Sequence, residues 1–209
     1  MRKTRKQKEE KRRKKEILQA AAKVFAKFNY HGAKMQDISR ASHYPLATIY
    51  KYFKSKKEIY YEIFISKACQ FKKVLQKAVS EAEEDPLKAL KNTIIAKVKF
   101  FCKNKHFIKL YIFQNSSIDA MIVGHKTEEI ENIYQSIVNI YASLIEKGQD
   151  MGLFDKTATS RDLALMLTGM MNSMAVEWLK SCGTKAELQE KFEKVLNVFT
   201  GGACVKKNV

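Results

Sequence analysis

The chain has 209 residues, 45% of them hydrophobic, with only 8 Gly and 2 Pro. That composition supports a sizeable core and excludes general disorder, collagen-like repeats and a loop-rich all-β chain. The 39 Lys+Arg against 22 Asp+Glu leave a charge of +17, and +13 of it falls in residues 1–60, where 18 basic residues meet 5 acidic ones.

Residues 1–15, MRKTRKQKEEKRRKK, carry ten basic and two acidic residues. Two readings of this run stay open. It is a solvated tail fused to a helix, or an arm that neutralises phosphates or enters a minor groove. An anionic membrane is a poorer target, because the run lacks the Trp, Phe and Leu that an interfacial helix buries. It leads directly into an amphipathic pattern with no apolar signal-peptide region. No apolar stretch is long enough to span a membrane. The expectation is a soluble cytoplasmic protein.

Ile17, Leu18, Ala21, Ala22, Val24, Phe25 and Phe28 recur at helical spacing, so a first helix ends near Phe28. Asn29 follows, a residue that tolerates the left-handed backbone of a helix end. Met35, Ile38 and Ala41 predict a short second helix to about Ser42. Pro45 then interrupts the period and suits a helix start. Leu46, Ile49, Tyr50 and Phe53 make a third helix, closed by Lys54. Ser55 and Glu58 form a capping box for a long fourth helix reaching about Glu81.

Asp85-Pro86 caps and opens a fifth helix through Phe101. A short apolar segment, Phe107 to Phe113, comes next, before an interruption at Gln114-Asn115-Ser116-Ser117. Further helices cover roughly Thr127 to Lys147 and Arg161 to Lys180, and Thr184 with Glu187 caps a last one ending before Gly201-Gly202. No strand-like alternation and no internal repeat is present. The chain reads as all-α, with about nine helices.

A long helix followed by two short ones across a tight turn is the layout of a helix-turn-helix DNA reader. Met35, Ile38, Ala41, Ile49 and Phe53 supply a small shared core. The opposite face of the third helix offers Thr48, Lys51, Tyr52 and Lys54, flanked by Tyr44 and Lys56, whose hydroxyls and amines suit phosphate oxygens. The bland alternative is an ordinary three-helix packing with a solvated basic face.

The run Ile17-Leu18-x-Ala20-Ala21, Phe25, Asn29-Tyr30, Asp37-Ile38, Thr48-Ile49-Tyr50-x-Tyr52-Phe53-x-Ser55-Lys56-x-Glu58 resembles the TetR (tetracycline-repressor-like) family of bacterial transcription regulators. The likeness is ungapped from Tyr30 to Lys56 and covers roughly residues 15–60. The departures fall where DNA is read: His43, Tyr44, Pro45 and Ala47 stand for the usual Gly, Val, Ser and Gly, and Lys34 stands for a helix-start Thr. By resemblance, Thr48, Tyr50, Tyr52 and Lys56 lie near phosphates and Lys51 reaches a base edge. Lys34, Gln36, Tyr44, Pro45, Leu46 and Ala47 complete the candidate DNA surface.

The resemblance also implies an organisation: a basic arm over 1–15, the reading head over 16–60, and an effector-binding, dimerising domain over 61–209. The helix Arg161–Lys180 shows two apolar stripes, Leu163/Leu167/Met170/Met171/Met174/Trp178 and Leu165/Gly169/Asn172/Val176, so it is expected to be buried on two sides. Met166, Met170, Met174, Trp178, Phe192, Val195 and Phe199 are candidates for the pairing face, against the alternative of a monomer core. A two-fold dimer implies a roughly palindromic operator.

Aromatic residues crowd the helices after residue 85, with His106, Tyr111, Gln114, Asn115, Tyr134 and Asn172 as candidate ligand contacts. An apolar or amphipathic small molecule is the expected effector, because desolvating a highly charged one is costly. The expected function is a ligand-released repressor, without catalytic residues, metal or cofactor. No phosphate-binding Gly loop, G-x-S-x-G or H-E-x-x-H occurs. The 4 Cys include no C-x-x-C pair, and isolated helix cysteines are expected to be buried and inert. A thiol-based redox regulator and a non-sequence-specific nucleic-acid binder remain the alternatives.

Overall fold

The computed structural model describes residues 5–82, 84–105, 107–108 and 127–203. Among these residues the chain is all-helical, with eight helices: α1 Arg5–Gly32, α2 Met35–Ser42, α3 Leu46–Tyr52, α4 Lys56–Ser80, α5 Pro86–Lys103, α6 Thr127–Asp150, α7 Ser160–Lys180 and α8 Lys185–Ala203. The ninth expected element, over Phe107 to Phe113, falls largely outside the described residues.

The helix ends follow from local chemistry. Asn29, at φ 58° and ψ 176°, breaks the helical path near the end of α1. His43 ends α2 at φ 57°, the left-handed conformation for which glycine is the cheaper residue. The Asp37 carboxylate accepts from the Lys34 backbone N–H at 2.9 Å, so Asp37 supplies the start of α2 that a Thr would otherwise cap. Ser55 Oγ accepts from the Glu58 N–H at 3.2 Å, and Glu58 accepts in turn from the Lys54 N–H at 2.6 Å. Asp85 caps α5 at 2.9 Å. Thr184 and Glu187 complete a reciprocal box at the start of α8, at 3.3 and 2.6 Å.

The chain divides into two units, Met1–Lys67 and Ala68–Val209. The division lies within α4 rather than at residue 60, because the first turns of α4 belong to the head's core. Tyr60 stacks edge-on against Phe25 of α1 at 5.0 Å between ring centroids. Ile17, Ala21, Val24, Phe25, Ile38, Ile49, Phe53 and Ile59 are buried with it. Ala41, expected in this core, is exposed, since an i, i+3, i+6 spacing drifts around the helix and sets Ala41 about 120° from Met35.

In the second unit α5 packs against α6 and α8, while α7 packs against both α6 and α8. Phe71, Phe100 and Phe101 form one aromatic cluster, with ring centroids 5.1 and 5.4 Å from Phe71. Gln149 holds the α6–α7 connection by donating to the carbonyls of Asp155 and Ala158 at 2.8 and 2.9 Å. Gly183 is required at the α7–α8 turn, where an added Cβ would lie 2.4 Å from the Trp178 ring.

Candidate nucleic-acid interface

The head presents α3 outward. Ile49 points into the core, while Tyr50 is 49% exposed and Pro45, Ala47 and Lys51 are exposed beside it. Thr48, Leu46 and Tyr52 are half-buried, and Lys34 and Gln36 at the start of α2 are exposed. Six of the eleven predicted surface residues, Lys34, Gln36, Pro45, Ala47, Tyr50 and Lys51, are thus solvent-facing.

Tyr44 explains one departure from the family pattern. Its hydroxyl donates to Glu16 Oε2 at 2.6 Å, and its carbonyl accepts from Ser39 Oγ at 2.7 Å. The turn is thereby tied to α1 on one side and to α2 on the other. Tyr44 therefore acts first as a brace. Lys56 differs from expectation too. Its ammonium donates to the carbonyls of Tyr30 and Ala33 at 2.7 and 2.8 Å and lies 4.5 Å from the Tyr30 ring centroid. A third, longer bond runs to the His31 carbonyl at 3.5 Å, so all three N–H groups of the ammonium are engaged at the end of α1. Burial lowers the Lys56 pKa, in keeping with this inward use.

The basic run is helical from Arg5 onward, continuous with α1. A helix is about 10–12 Å across with its side chains. A B-form minor groove is only about 6 Å wide. As a helix, this part of the chain is too wide to enter a minor groove. Glu9 binds Arg12 at 2.7 Å and Arg13 at 2.8 Å, and these two guanidinium groups hold its carboxyl down to about 2. Arg13, raised chiefly by its hydrogen bond to Glu9, also feels the Tyr52 and Tyr44 hydroxyls. Lys14 pairs with Glu62 of α4 at 2.7 Å. Lys8, Lys11 and Lys15, spaced i, i+3 and i+7, form an exposed cationic stripe. The structure thus adds Arg13 to the candidate surface. Its sequence signal was only the density of charge.

A model of the tetR family of bacterial regulatory proteins matches residues 17–63. The uncharacterized HTH-type transcriptional regulator YhgD of Bacillus subtilis is 31% identical over 172 residues, covering 80% of this chain and 85% of that protein. The chain belongs to the tetR family. The Bacillus subtilis "Fatty acid metabolism regulator protein" is 25% identical over 193 residues, covering 90% and 93% of the two chains. The solved structure of the Bacillus subtilis regulator FadR in complex with stearoyl-CoA superposes with a TM-score of 0.74 at 20% identity, over 90% of this chain and 97% of that one. This last likeness is one of fold. As a tetR-family member, the chain is a helix-turn-helix transcription regulator. Its extension before residue 17 lies outside the matched span.

In the second unit, the candidate pairing residues separate into two groups. Met166 is 57% and Met174 36% exposed, with Met170 half-buried between them. Trp178, Phe192, Val195 and Phe199 are buried instead in their own chain, so they leave the pairing face. Trp178 Nε1 donates to the Thr184 carbonyl at 2.7 Å while Lys105 covers its ring at 4.6 Å. Phe192 meets Phe101 at 6.0 Å and Phe199 meets Phe154 at 6.2 Å, which explains why both turn inward. The outward apolar face of α7 is Leu165, Met166, Gly169 and Met174, continued on α8 by the exposed Val198.

Of the candidate ligand residues, His106, Tyr111, Gln114 and Asn115 lie outside the described residues. Tyr134 is half-buried on α6, with its pKa raised by burial. Asn172 is half-buried on α7, and its Oδ1 is buried without a hydrogen-bond partner. An open groove of about 470 Å³ between the second half of α4 and α6 is lined by Lys72, Gln76, Ser136, Asn139 and Ser143, and includes neither residue. Cys69 and Cys182 are exposed and Cys102 is half-buried, contrary to the expectation of buried thiols. The Cys102 pKa is raised by burial, which disfavours a reactive thiolate there. Cys204 lies outside the described residues. Among the described residues no helix is long and apolar enough to cross a membrane.

Proposed function

We propose that this chain is a homodimeric repressor that binds a roughly palindromic operator and is released by an amphipathic ligand carrying a fatty-acyl-like chain. The observation that carries the DNA part is the exposed face of α3, with Tyr50 and Lys51 outward and Thr48 and Tyr52 at its edge, braced through Tyr44 to α1. Lys51 is the base-reading residue. Thr48, Tyr50 and Tyr52 are phosphate donors, with Lys34, Gln36 and Arg13 at the margins. The helical extension tracks phosphates beside the reading head through Lys8, Lys11 and Lys15.

Pairing uses the exposed apolar face of α7 and α8. A two-fold axis there sets two heads about 34 Å apart, one DNA turn. The ligand class is supported by likeness to regulators named for fatty acid metabolism, one of them solved with stearoyl-CoA. Release requires that the ligand favour an arrangement unable to bind DNA, since only differential affinity shifts a population. Such a regulator works where the chromosome is, in the cytoplasm.

Selection of bound DNA from a random pool, followed by titration with acyl ligands, tests this reading. A palindrome with half-sites one turn apart, released by the ligand, is the expected result. Equal affinity for selected and random DNA overturns the operator. The redox alternative has a direct comparison: mild oxidation should leave operator binding unchanged.

A further inference from the structure

The core of the second unit contains a lysine. Lys97, on α5, is 2% exposed, in a position where its neighbours Ile94, Val98 and Phe101 are apolar and buried. Its ammonium nitrogen lies 3.7 Å from Met171 Sδ of α7, and 5.3 and 5.5 Å from the ring centroids of Phe101 and Phe192. No carboxylate is buried among the described residues. A thioether and two ring faces are weak partners for a desolvated ammonium, which ordinarily needs an anion.

The surrounding helices add further unmet polarity. On α7, Thr168 and Asn172 flank Met171 within one turn, and Thr168 Oγ1 and Asn172 Oδ1 are both buried without a hydrogen-bond partner. On α6, the Tyr141 hydroxyl is buried beside the Thr93 side chain and makes no well-formed hydrogen bond. Thr93, one turn before Lys97 and close to that hydroxyl, spends its own proton on the Leu90 carbonyl at 2.7 Å. Unpaired polar groups in a core are costly, and several on three helices packed together with a cation describe a polar seat inside apolar walls.

We propose that this seat binds the carboxylate of an amphiphilic monocarboxylic acid, with Lys97 as its cation and the hydroxyls of Tyr141 and Thr168 as hydrogen-bond donors. The apolar tail of the ligand packs among the aromatic side chains of the same core. This inference rests on the ligand-release reading above and sharpens it: the free acid is the ligand, rather than its ester or thioester, whose acyl carbonyl is uncharged. Burial brings the Lys97 pKa down to about 7. Among the described residues the other buried titratable side chain of this unit is Tyr141, whose pKa burial pushes up, so it stays neutral. Docking of a carboxylate restores the charged form of Lys97. At pH 8 the complex therefore takes up a proton from solution.

The experiment is calorimetry on the full chain at pH 8 with dodecanoate, methyl dodecanoate and dodecanoyl-CoA, each below its micellar concentration. It is repeated in two buffers of different ionisation heat and with Lys97→Met. The expected result is that dodecanoate binds at least tenfold more tightly than the ester and takes up protons. In Lys97→Met that preference and the proton uptake disappear, while the ester's affinity stays within twofold. Equal affinity for acid and ester, absence of proton uptake, equal loss of both ligands in Lys97→Met, or binding of none of the three overturns the proposal. Operator release measured alongside separates the two readings. Release by ester or thioester as effective as by acid leaves a ligand-released repressor without this site. Acid binding at Lys97 without release leaves the site and removes the release.

Discussion

The hydroxyl of Tyr44 donates to Glu16 across the joint between the α2–α3 turn and α1, at 2.6 Å. Glu16 is also held by Arg12 at 2.6 Å, so one carboxylate couples the turn to the basic extension. The Tyr44 bond is the main reason its carboxyl sits below the usual range. The sign follows directly. A depressed carboxyl pKa means a contribution present above the ordinary carboxylate range and lost as pH falls through the folded value.

Tyr44→Phe removes this bond and keeps the ring. It is expected to weaken operator and random DNA binding alike by a few-fold, because it loosens the position of α3 without altering base contacts. Fluorescence titration against both DNAs reads it. A change in sequence preference contradicts the brace.

Lys51 and Tyr52 separate base reading from phosphate contact. Lys51→Ala is expected to relax preference at one operator position, by about 1–3 kcal/mol. Tyr52→Ala weakens all sequences together. Titrations on the operator and on a scrambled duplex distinguish the pair, and equal losses on both DNAs in both variants remove the distinction.

The stripe on the extension has an electrostatic readout. Each phosphate contact contributes about 0.9 to the slope of log K against log salt. Replacing Lys8, Lys11 and Lys15 by Gln should lower that slope by up to ~3 and reduce affinity most at low salt. An unchanged slope assigns the stripe to solvent.

Lys97 makes stability depend on pH in a defined direction. Its folded pKa lies below the unfolded value, so the folded state binds fewer protons between about 7 and the ordinary lysine value of 10.5. Stability therefore rises with pH across that window. Lys97→Met removes the cost of a buried charge and is expected to stabilise the chain at pH 6.5 by roughly 2–5 kcal/mol. The advantage should shrink toward pH 10. Urea unfolding of both proteins at several pH values checks this, and a gap independent of pH contradicts it.

Met166→Glu with Met174→Glu places charges on the exposed apolar face of α7. It is expected to convert dimers to monomers in sedimentation experiments and to lower operator affinity at least tenfold, with little change in monomer stability. A variant that remains dimeric moves the interface elsewhere.

The helices were legible because their signals are local. Asp85 before Pro86, Thr184 before Glu187, and the 3.6-residue stripe of α1 each act within a turn or two of backbone, and each lies where its spacing requires. The face of α3 was legible in part for the same reason, since Ile49 and Lys51 lie about 200° apart on a helix, one inward and one outward, whereas Tyr50, which the period grouped with Ile49, is exposed. Long-range outcomes were not. Trp178 and Met166 both read as apolar positions of one helix, yet the α7–α8 turn and Lys105 cover the first while the second stays outside.

By itself the sequence determined an all-helical chain, a charged extension leading into a helix-turn-helix head, and the family to which that head belongs. These rest on periodicity, capping and side-chain type, which act over a few residues. Only the tertiary structure decided that Tyr44 and Lys56 brace the head, that α7 divides into a core face and an outward face, and that Lys97 lies in the interior. Each of these depends on a partner many residues away in the chain. The spacing of Lys97 placed it on a helix among apolar neighbours, but that no carboxylate is buried with it among the described residues becomes visible only when α5, α6, α7 and α8 are brought together.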